Sequence, residues 1–268
     1  MKKVKLTKQL IFSIVFTMGI LLSIRYLYFW YSDSNQINDE IEKINSITKT
    51  TEDKTDNTNQ IVNPPLNEDS PYWKYIKVGL IDVDFEELRK INSETKGWIK
   101  VEGTNINYPF VQTKDNTFYL NHTFNKKENN AGWVFLDSRN NIEELDRNNI
   151  IYAHGRVNSV LFGTLKNIMK SNWYENSNNH IIKLSTQSHN SLWQVFSVYR
   201  IPTTSDYLVT DFRNDETFDN FLKFIKQRSI YDFNIELSSK DKIITLSTCY
   251  SSKEKVVMHA KLIKIEQK

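Results

Sequence analysis

Cys249 is the only cysteine among 268 residues, and it closes the run Ile243-Ile244-Thr245-Leu246-Ser247-Thr248-Cys249. One thiol therefore stands where an apolar strand should meet a loop. A lone cysteine is by default a small buried hydrophobe, inert unless its surroundings favour the thiolate. A nucleophilic thiol needs a partner to take its proton or hold its charge, most often an imidazole. Five histidines are available. His122 and His180 fall in Asn-rich stretches and His189 in the turn Gln187-Ser188-His189-Asn190, so all three read as solvated surface. His259 shares an alternating face with Lys255, Val257 and Lys261 and also reads as a surface histidine. His154 differs. It follows Asn149-Ile150-Ile151-Tyr152-Ala153 and precedes Gly155, which puts it at a strand end beside a residue that lets the backbone turn sharply. That is a rigid, accessible mount for an imidazole.

Other chemistries fit poorly. A single cysteine forms no internal disulfide, no Cys-x-x-Cys redox pair and no multi-thiolate zinc site. No cofactor is implied and no metal site is evident. Asp137 has no acidic or imidazole neighbour in sequence, and the acidic pairs Asp39-Glu40 and Glu52-Asp53 lie in a polar stretch that reads as a tether, away from the folded domain.

The N-terminus places the thiol outside the cell. Met1 to Lys8 carries four lysines, and Leu10 to Ile24 follows as 15 residues without charge. Arg25 interrupts, but Tyr26-Leu27-Tyr28-Phe29-Trp30-Tyr31 keeps the apolar, aromatic character. Gln9 to Tyr31 is 23 residues, enough for a hydrocarbon core that needs about 20, with aromatic residues at the far interface and Arg25 able to snorkel. No small-x-small cleavage site follows, which favours an uncleaved signal anchor over a signal peptide. The lysines hold the N-terminus in the cytoplasm, and the chain beyond the span is exported.

Three regions follow: residues 1–31, a cytoplasmic tail and transmembrane anchor; residues 32–70, a polar extracytoplasmic linker; and residues 71–268, one catalytic-sized domain. The linker holds nine acids and three bases and lacks the apolar content for a core. Ile37, Ile41 and Ile44 recur at helical spacing, which would suit a short helix, but a solvated tether is the simpler reading. Net charge over the three regions is +5, −6 and +4, for a total of +3. That lacks the dense Lys/Arg face of a nucleic-acid binder.

In the domain, Asp84 caps a helix that presents Phe85, Leu88 and Ile91 and that Gly97 should stop. Eight strand-like runs follow: 98–101, 108–112, 132–136, 149–153, 181–184, 192–199, 243–248 and 255–265. Helices over 158–170 and 215–228 interrupt them, the second with Phe218, Phe221, Leu222 and Ile225 on one face. Many strands with helical inserts predict a mainly β fold, a barrel or mixed sheet.

Thr-Leu-Ser-Thr-Cys at 245–249, with Ile-Tyr-Ala-His-Gly 95 residues upstream at 151–155, resembles the sortases, membrane-anchored cysteine transpeptidases of Gram-positive bacteria. Gly97-Trp98-Ile99, Thr104 through Gln112, Phe135-Leu136-Asp137-Ser138-Arg139-Asn140 and Leu161-Phe162-Gly163 extend the likeness over most of residues 80–268. These segments and the helical connection before Cys249 are most similar to class B sortases. The local cysteine signatures of papain-like and caspase-like enzymes are absent.

The resemblance implies a closed β-barrel with Cys249 and His154 at neighbouring strand ends and a basic residue on the final strand. It also implies a donor protein with an Asn-Pro-x-Thr-x type sorting signal and an amine acceptor on the peptidoglycan precursor. In sortases the basic residue is an arginine a few positions beyond the cysteine, and here Lys255 stands in that place. Lysine offers one compact charge where arginine offers a planar fork, so the exchange is not conservative. Three explanations stay open: Lys255 serves, another arginine such as Arg156 or Arg200 reaches the site, or the enzyme is impaired. Ser247 and Thr248 are candidates to contact substrate, or are hydroxyls satisfying backbone groups. Tyr152 and Tyr250 are candidates to wall the groove, or are ordinary aromatic packing. Two other functions use the same residues: a pilin polymerase with a lysine acceptor, and a membrane-tethered binding module with an inert thiol.

Overall fold

The computed structural model describes residues 7–52, 61–155, 158–249 and 253–268. The candidates Arg156 and Tyr250 lie outside the described residues, and so does the side chain of Cys249, whose backbone ends a strand.

The N-terminal apolar run and the polar residues after it form one continuous helix, α1 (Lys8–Ile47). Its most apolar 18-residue window has a mean hydropathy of 2.0 and makes no buried contact with the rest of the protein. Among the described residues it is the one helix long and apolar enough to cross a membrane. Past the aromatic cluster its character changes: Ser34, Ile37, Glu40 and Ile44 are buried against the domain. The residues expected to be a solvated tether are therefore folded onto the barrel over this stretch, because the isoleucines at helical spacing make an apolar stripe that needs a partner. Strand β1 (Thr50–Glu52) follows and pairs antiparallel with β2 (Ile81–Val83), a small sheet the sequence did not suggest. Glu52, expected away from the barrel, meets Lys100 at 2.5 Å and Lys183 at 3.2 Å on the barrel wall. The short helix α2 (Tyr72–Tyr75) leads into this region.

Asp84 Oδ1 accepts the N–H of Glu86 at 3.0 Å and opens α3 (Glu86–Ile91). Gly97 does not stop this helix, which ends before Asn92. Gly97 lies instead in strand β3 (Thr95–Val101), where a Cβ would fall 2.5 Å from the Phe110 ring and 2.6 Å from the Ser185 carbonyl oxygen. The close approach of three strands, not helix termination, requires glycine here.

Eight strands close the barrel: β3, β4 (Asn107–Val111), β5 (Phe135–Leu136), β6 (Asn148–Tyr152), β7 (Ile181–Thr186), β8 (His189–Pro202), β9 (Ile243–Cys249) and β10 (Glu254–Gln267). Their order around the wall is β10-β8-β7-β3-β4-β5-β6-β9. All eight expected runs are strands, with altered ends. The expected 132–136 shrinks to two residues, while β8 and β10 lengthen into a 14-residue pair. Closure leaves no open edge in the barrel, and large apolar side chains, Trp98, Trp193, Phe110 and Phe196 among them, are buried against the two faces of its wall.

Two inserts sit in the connections. Between β6 and β7 the expected helix is a 3-10 helix over Phe162–Met169, followed by α4 (Ser171–Glu175). Between β8 and β9 lies α5 (Asp215–Gln227), started by a capping box of Asn214 and Thr217 and buried through Phe218, Phe221, Leu222 and Ile225. Most neighbours in the wall are antiparallel, but β6 and β9 run parallel, so their C-terminal ends lie side by side.

Candidate active site

The β6–β9 register runs from Asn148 opposite Ile243 to Tyr152 opposite Ser247. His154 and Cys249 each follow two residues later, His154 just past the end of β6 and Cys249 at the end of β9, on a pair of neighbouring strands about 4.8 Å apart. On the other side of β9, Lys255 of β10 is the cross-strand partner of Cys249. Three chemically distinct positions separated in sequence are thus adjacent at one end of the barrel.

They border an open groove of about 730 Å³ lined by Tyr152, His154, Ser247, Thr248 and Lys255, five of the residues singled out from sequence. Leu120 and Asn116 form one wall, and the loop after β8, from Thr203 to Leu208, forms the other. His154 is half-buried, and its Nε2 lies 2.8 Å from the Leu120 carbonyl oxygen. A carbonyl only accepts, so Nε2 carries the proton and Nδ1 is the nitrogen that can gain or lose one.

The floor is a polar network. Tyr152 donates its hydroxyl to Asp137 Oδ2 at 2.8 Å. Arg139 grips the same carboxylate with Nε at 2.8 Å and Nη2 at 2.7 Å, and donates its backbone N–H at 3.0 Å. Burial alone would raise the carboxyl pKa, but these donors outweigh it and hold Asp137 at about 2. Burial, and then the neighbouring Asp137 charge, pushes the Tyr152 phenol well above its ordinary value, so it stays a donor. Ser247 shares a 2.8 Å hydrogen bond with the buried Tyr207. Thr248 is buried, and its hydroxyl has no hydrogen-bond partner among the described residues.

The sequence reading missed Arg139 as a groove residue and Asp137 as the buried carboxylate that anchors it and Tyr152. The adjacent Asp137-Ser138-Arg139 was the available signal, since a carboxylate two residues before an arginine can form a local fork. It did weigh Arg200, which the structure does not bring to the groove: Arg200 meets Glu254 at 3.4 Å and lines a separate cleft with Lys166 and Ile230.

Three histidines expected at the surface are buried. His259 is inaccessible, with Nε2 2.8 Å from the Tyr199 hydroxyl and Nδ1 2.8 Å from Thr245 Oγ1. Burial, aided by the Arg228 charge, depresses its pKa to about 3. The expectation failed because the insert between β8 and β9 covers this face of the wall, with Tyr207 on Ser247, Ile225 accepting from Ser197 and Arg228 close by, and alternation alone does not say which strand faces are covered. His189 is buried at the start of β8 beside Thr186 and Ser188, and His180 packs against Trp173, Tyr174 and Phe233. Burial lowers the pKa of both. His122 is half-exposed, stacked on Phe118 at 3.9 Å.

A sortase-domain family model matches residues 99–263. The chain belongs to the sortase family. Sortase B of Staphylococcus aureus (strain NCTC 8325 / PS 47) is 38% identical over 185 residues, covering 68% of this sortase and 75% of the relative. Sortase B of Listeria monocytogenes serovar 1/2a (strain ATCC BAA-679 / EGD-e) is 33% identical over 194 residues, covering 69% and 76%. Among solved structures, Clostridium perfringens sortase B superposes with a TM-score of 0.64 at 35% identity, covering 68% of this chain and all of that one. A sortase B complexed with triglycine gives 0.63 at 37%, covering 67% and 85%. A Staphylococcus aureus sortase B–substrate complex gives 0.63 at 38%, covering 67% and 84%. The sortase is therefore most like class B members, and it is a cysteine transpeptidase.

Proposed function

We propose that this sortase cleaves a C-terminal sorting signal of the Asn-Pro-x-Thr-x type after threonine, holds the acyl group as a thioester on Cys249, and passes it to an amine of the peptidoglycan precursor. The observation that carries this reading is the convergence of the ends of β6 and β9, with Lys255 opposite Cys249, on one groove. A groove that takes peptides is supported by the relatives solved with triglycine and with substrate.

An unperturbed cysteine has a pKa of about 8.5, so an imidazolium at His154 and the Lys255 ammonium are needed to favour the thiolate. The thiolate of Cys249 attacks the threonine carbonyl. Lys255 and a backbone N–H stabilise the tetrahedral oxyanion. His154, proton-exchanging at Nδ1, protonates the leaving amine as the thioester forms and later accepts the proton of the incoming amine. Amines attack thioesters far more readily than water does, which favours transfer over hydrolysis and retains the free energy of the broken peptide bond. Ser247 and Thr248 contact the peptide, with the Thr248 hydroxyl supplying a hydrogen bond left unmade among the described residues.

The protein sits in the cell membrane as a single-pass anchor, N-terminus cytoplasmic and barrel outside. Ser34 is buried against the domain within one helical turn of Tyr31. The barrel is thus held at the bilayer surface, where a lipid-linked acceptor and a membrane-retained donor would both be found.

The test is incubation of the full chain, in detergent, with an Asn-Pro-Gln-Thr-Asn peptide, read by intact mass. An acyl adduct on Cys249 that amines discharge, absent in Cys249→Ala, is expected. A pilin polymerase would instead discharge it onto a lysine-bearing peptide in preference to a wall-precursor amine. A binding module would form no adduct and would shield the thiol from a methanethiosulfonate reagent until denatured.

A further inference from the structure

Past Tyr31, α1 is hydrogen-bonded through Asp33, Gln36 and Glu40 to the segment that leads from Leu120 to Trp133. Asn129 is the centre of that contact. Its Nδ2 donates to the Asp33 carbonyl at 3.1 Å and to Gln36 Oε1 at 2.9 Å, while its Oδ1 accepts the N–H of Ala131 at 2.8 Å. Its backbone N–H donates to the Asn121 carbonyl at 2.9 Å, and its carbonyl accepts from Gly132 at 3.0 Å. A second clasp is Glu40, whose Oε1 accepts the N–H of Asn125 at 2.6 Å.

The far end of this segment grips the groove wall. Gly132 has φ +63°, and a Cβ there would fall 2.4 Å from the Tyr119 carbonyl oxygen and 2.8 Å from that of Leu120. Trp133 donates its N–H to the Tyr119 carbonyl at 2.9 Å. The Tyr119–Leu120 backbone is therefore held from one side by a loop that α1 holds from the other, and the Leu120 carbonyl is the group that meets His154 Nε2 at 2.8 Å.

We infer that α1 is the positioning element of His154: through Asn129 and Glu40, the helix that carries the apolar segment fixes the Leu120 carbonyl, and that carbonyl keeps the ring proton on Nε2 and leaves Nδ1 for proton exchange. The inference rests on the reading of His154 as the acid–base group. Asn129 and Glu40 touch no substrate and act only through the loop. The consequence is that activity is coupled to the docked state of the anchor helix.

The test uses the full chain in detergent, the Asn-Pro-Gln-Thr-Asn peptide, and 15N-histidine NMR to read which ring nitrogen of His154 carries the proton. Asn129→Asp keeps the acceptor for Ala131 and removes the donor to α1. Its kcat should fall about tenfold with KM within about twofold, because the displaced group acts in the chemical step and not in binding. His154 should change from Nε2–H alone to a mixture of tautomers. Glu40→Gln keeps the acceptor for Asn125 and should stay near wild type, whereas Glu40→Ala should follow Asn129→Asp. If Asn129→Asp unfolds, Gln36→Ala carries the same test. Unchanged kcat and unchanged tautomer overturn the inference, as does a loss that tracks the folded fraction with Glu40→Gln as impaired as Glu40→Ala. A wild-type protein with no turnover would instead sink the acid–base reading of His154, and the tautomer comparison would still decide the positioning role.

Discussion

Tyr152 stands directly beside Ser247 across the parallel β6–β9 pair, and both line the same groove. Each has its own buried partner, Asp137 for Tyr152 and Tyr207 for Ser247. Buried polar groups with satisfied hydrogen bonds have one geometry each, so the two strand ends are fixed relative to one another. The pair is thus both wall and ruler: it sets the spacing of the two positions that follow it, His154 and Cys249.

Lys255 pairs with Cys249 across β9 and β10, the place where the resemblance to sortases leads one to expect an arginine. Lys255→Arg should keep or raise turnover, since a planar fork can donate two hydrogen bonds to a developing oxyanion. Lys255→Ala should lower kcat by about 10²- to 10³-fold, the usual cost of removing one such donor. Steady-state kinetics on the peptide reads both, and equal rates in all three proteins would remove Lys255 from the mechanism.

Thr248 has a buried hydroxyl without a partner among the described residues. Leaving such a group unpaired costs roughly 1–3 kcal/mol, so Thr248→Val should be neutral or stabilising in the free protein. If the hydroxyl is completed by substrate, the same change should raise KM for the peptide. Thermal unfolding together with KM separates the two effects, and a destabilised variant with unchanged KM would assign Thr248 a purely structural role.

His259 and Asp137 give the barrel a defined response to acid. His259 has a folded pKa of about 3 against an ordinary 6.5, so the unfolded chain binds the extra proton between those values. Stability is complete well above pH 6.5 and should fall progressively as pH drops below it, because the unfolded chain takes up a proton that the folded state refuses. Asp137, held at about 2 against an ordinary 3.8, adds stability that is present above pH 4 and is lost as pH falls through 2. Urea unfolding at pH 7, 5 and 4 should show the first loss in the wild type and a flatter slope in His259→Gln. Tyr152→Phe removes one donor from Asp137 and should move the second loss to higher pH.

The element list and the chemistry could be read along the chain, because both rest on local features. Alternation marked the eight strands, the spacing of Phe218, Phe221, Leu222 and Ile225 marked α5, and the Cys249 and His154 motifs identified the family. Which way a face points is not local. His259 alternates with Lys255, Val257 and Lys261, and only the packing of the β8–β9 insert over that face buried it, against Tyr199 and Thr245. The Asp137–Arg139–Tyr152 fork was half visible, as two residues in one short motif, while its third member came from the neighbouring strand.

The sequence by itself determined that a mainly β domain carries one thiol and one imidazole at strand ends, behind an apolar segment long enough to span a bilayer. Those are consequences of residue type and period. The tertiary structure alone decided that the two strand ends are parallel neighbours, that Arg200 stays away from the groove while Arg139 enters it, and that the polar stretch after the apolar segment folds back onto the barrel. Each depends on contacts between residues far apart in the chain. Ile37 and Ile44 form an apolar stripe with Ile41 along α1, but a stripe on one helix cannot bury itself, and the surface that covers it exists only once the domain has folded.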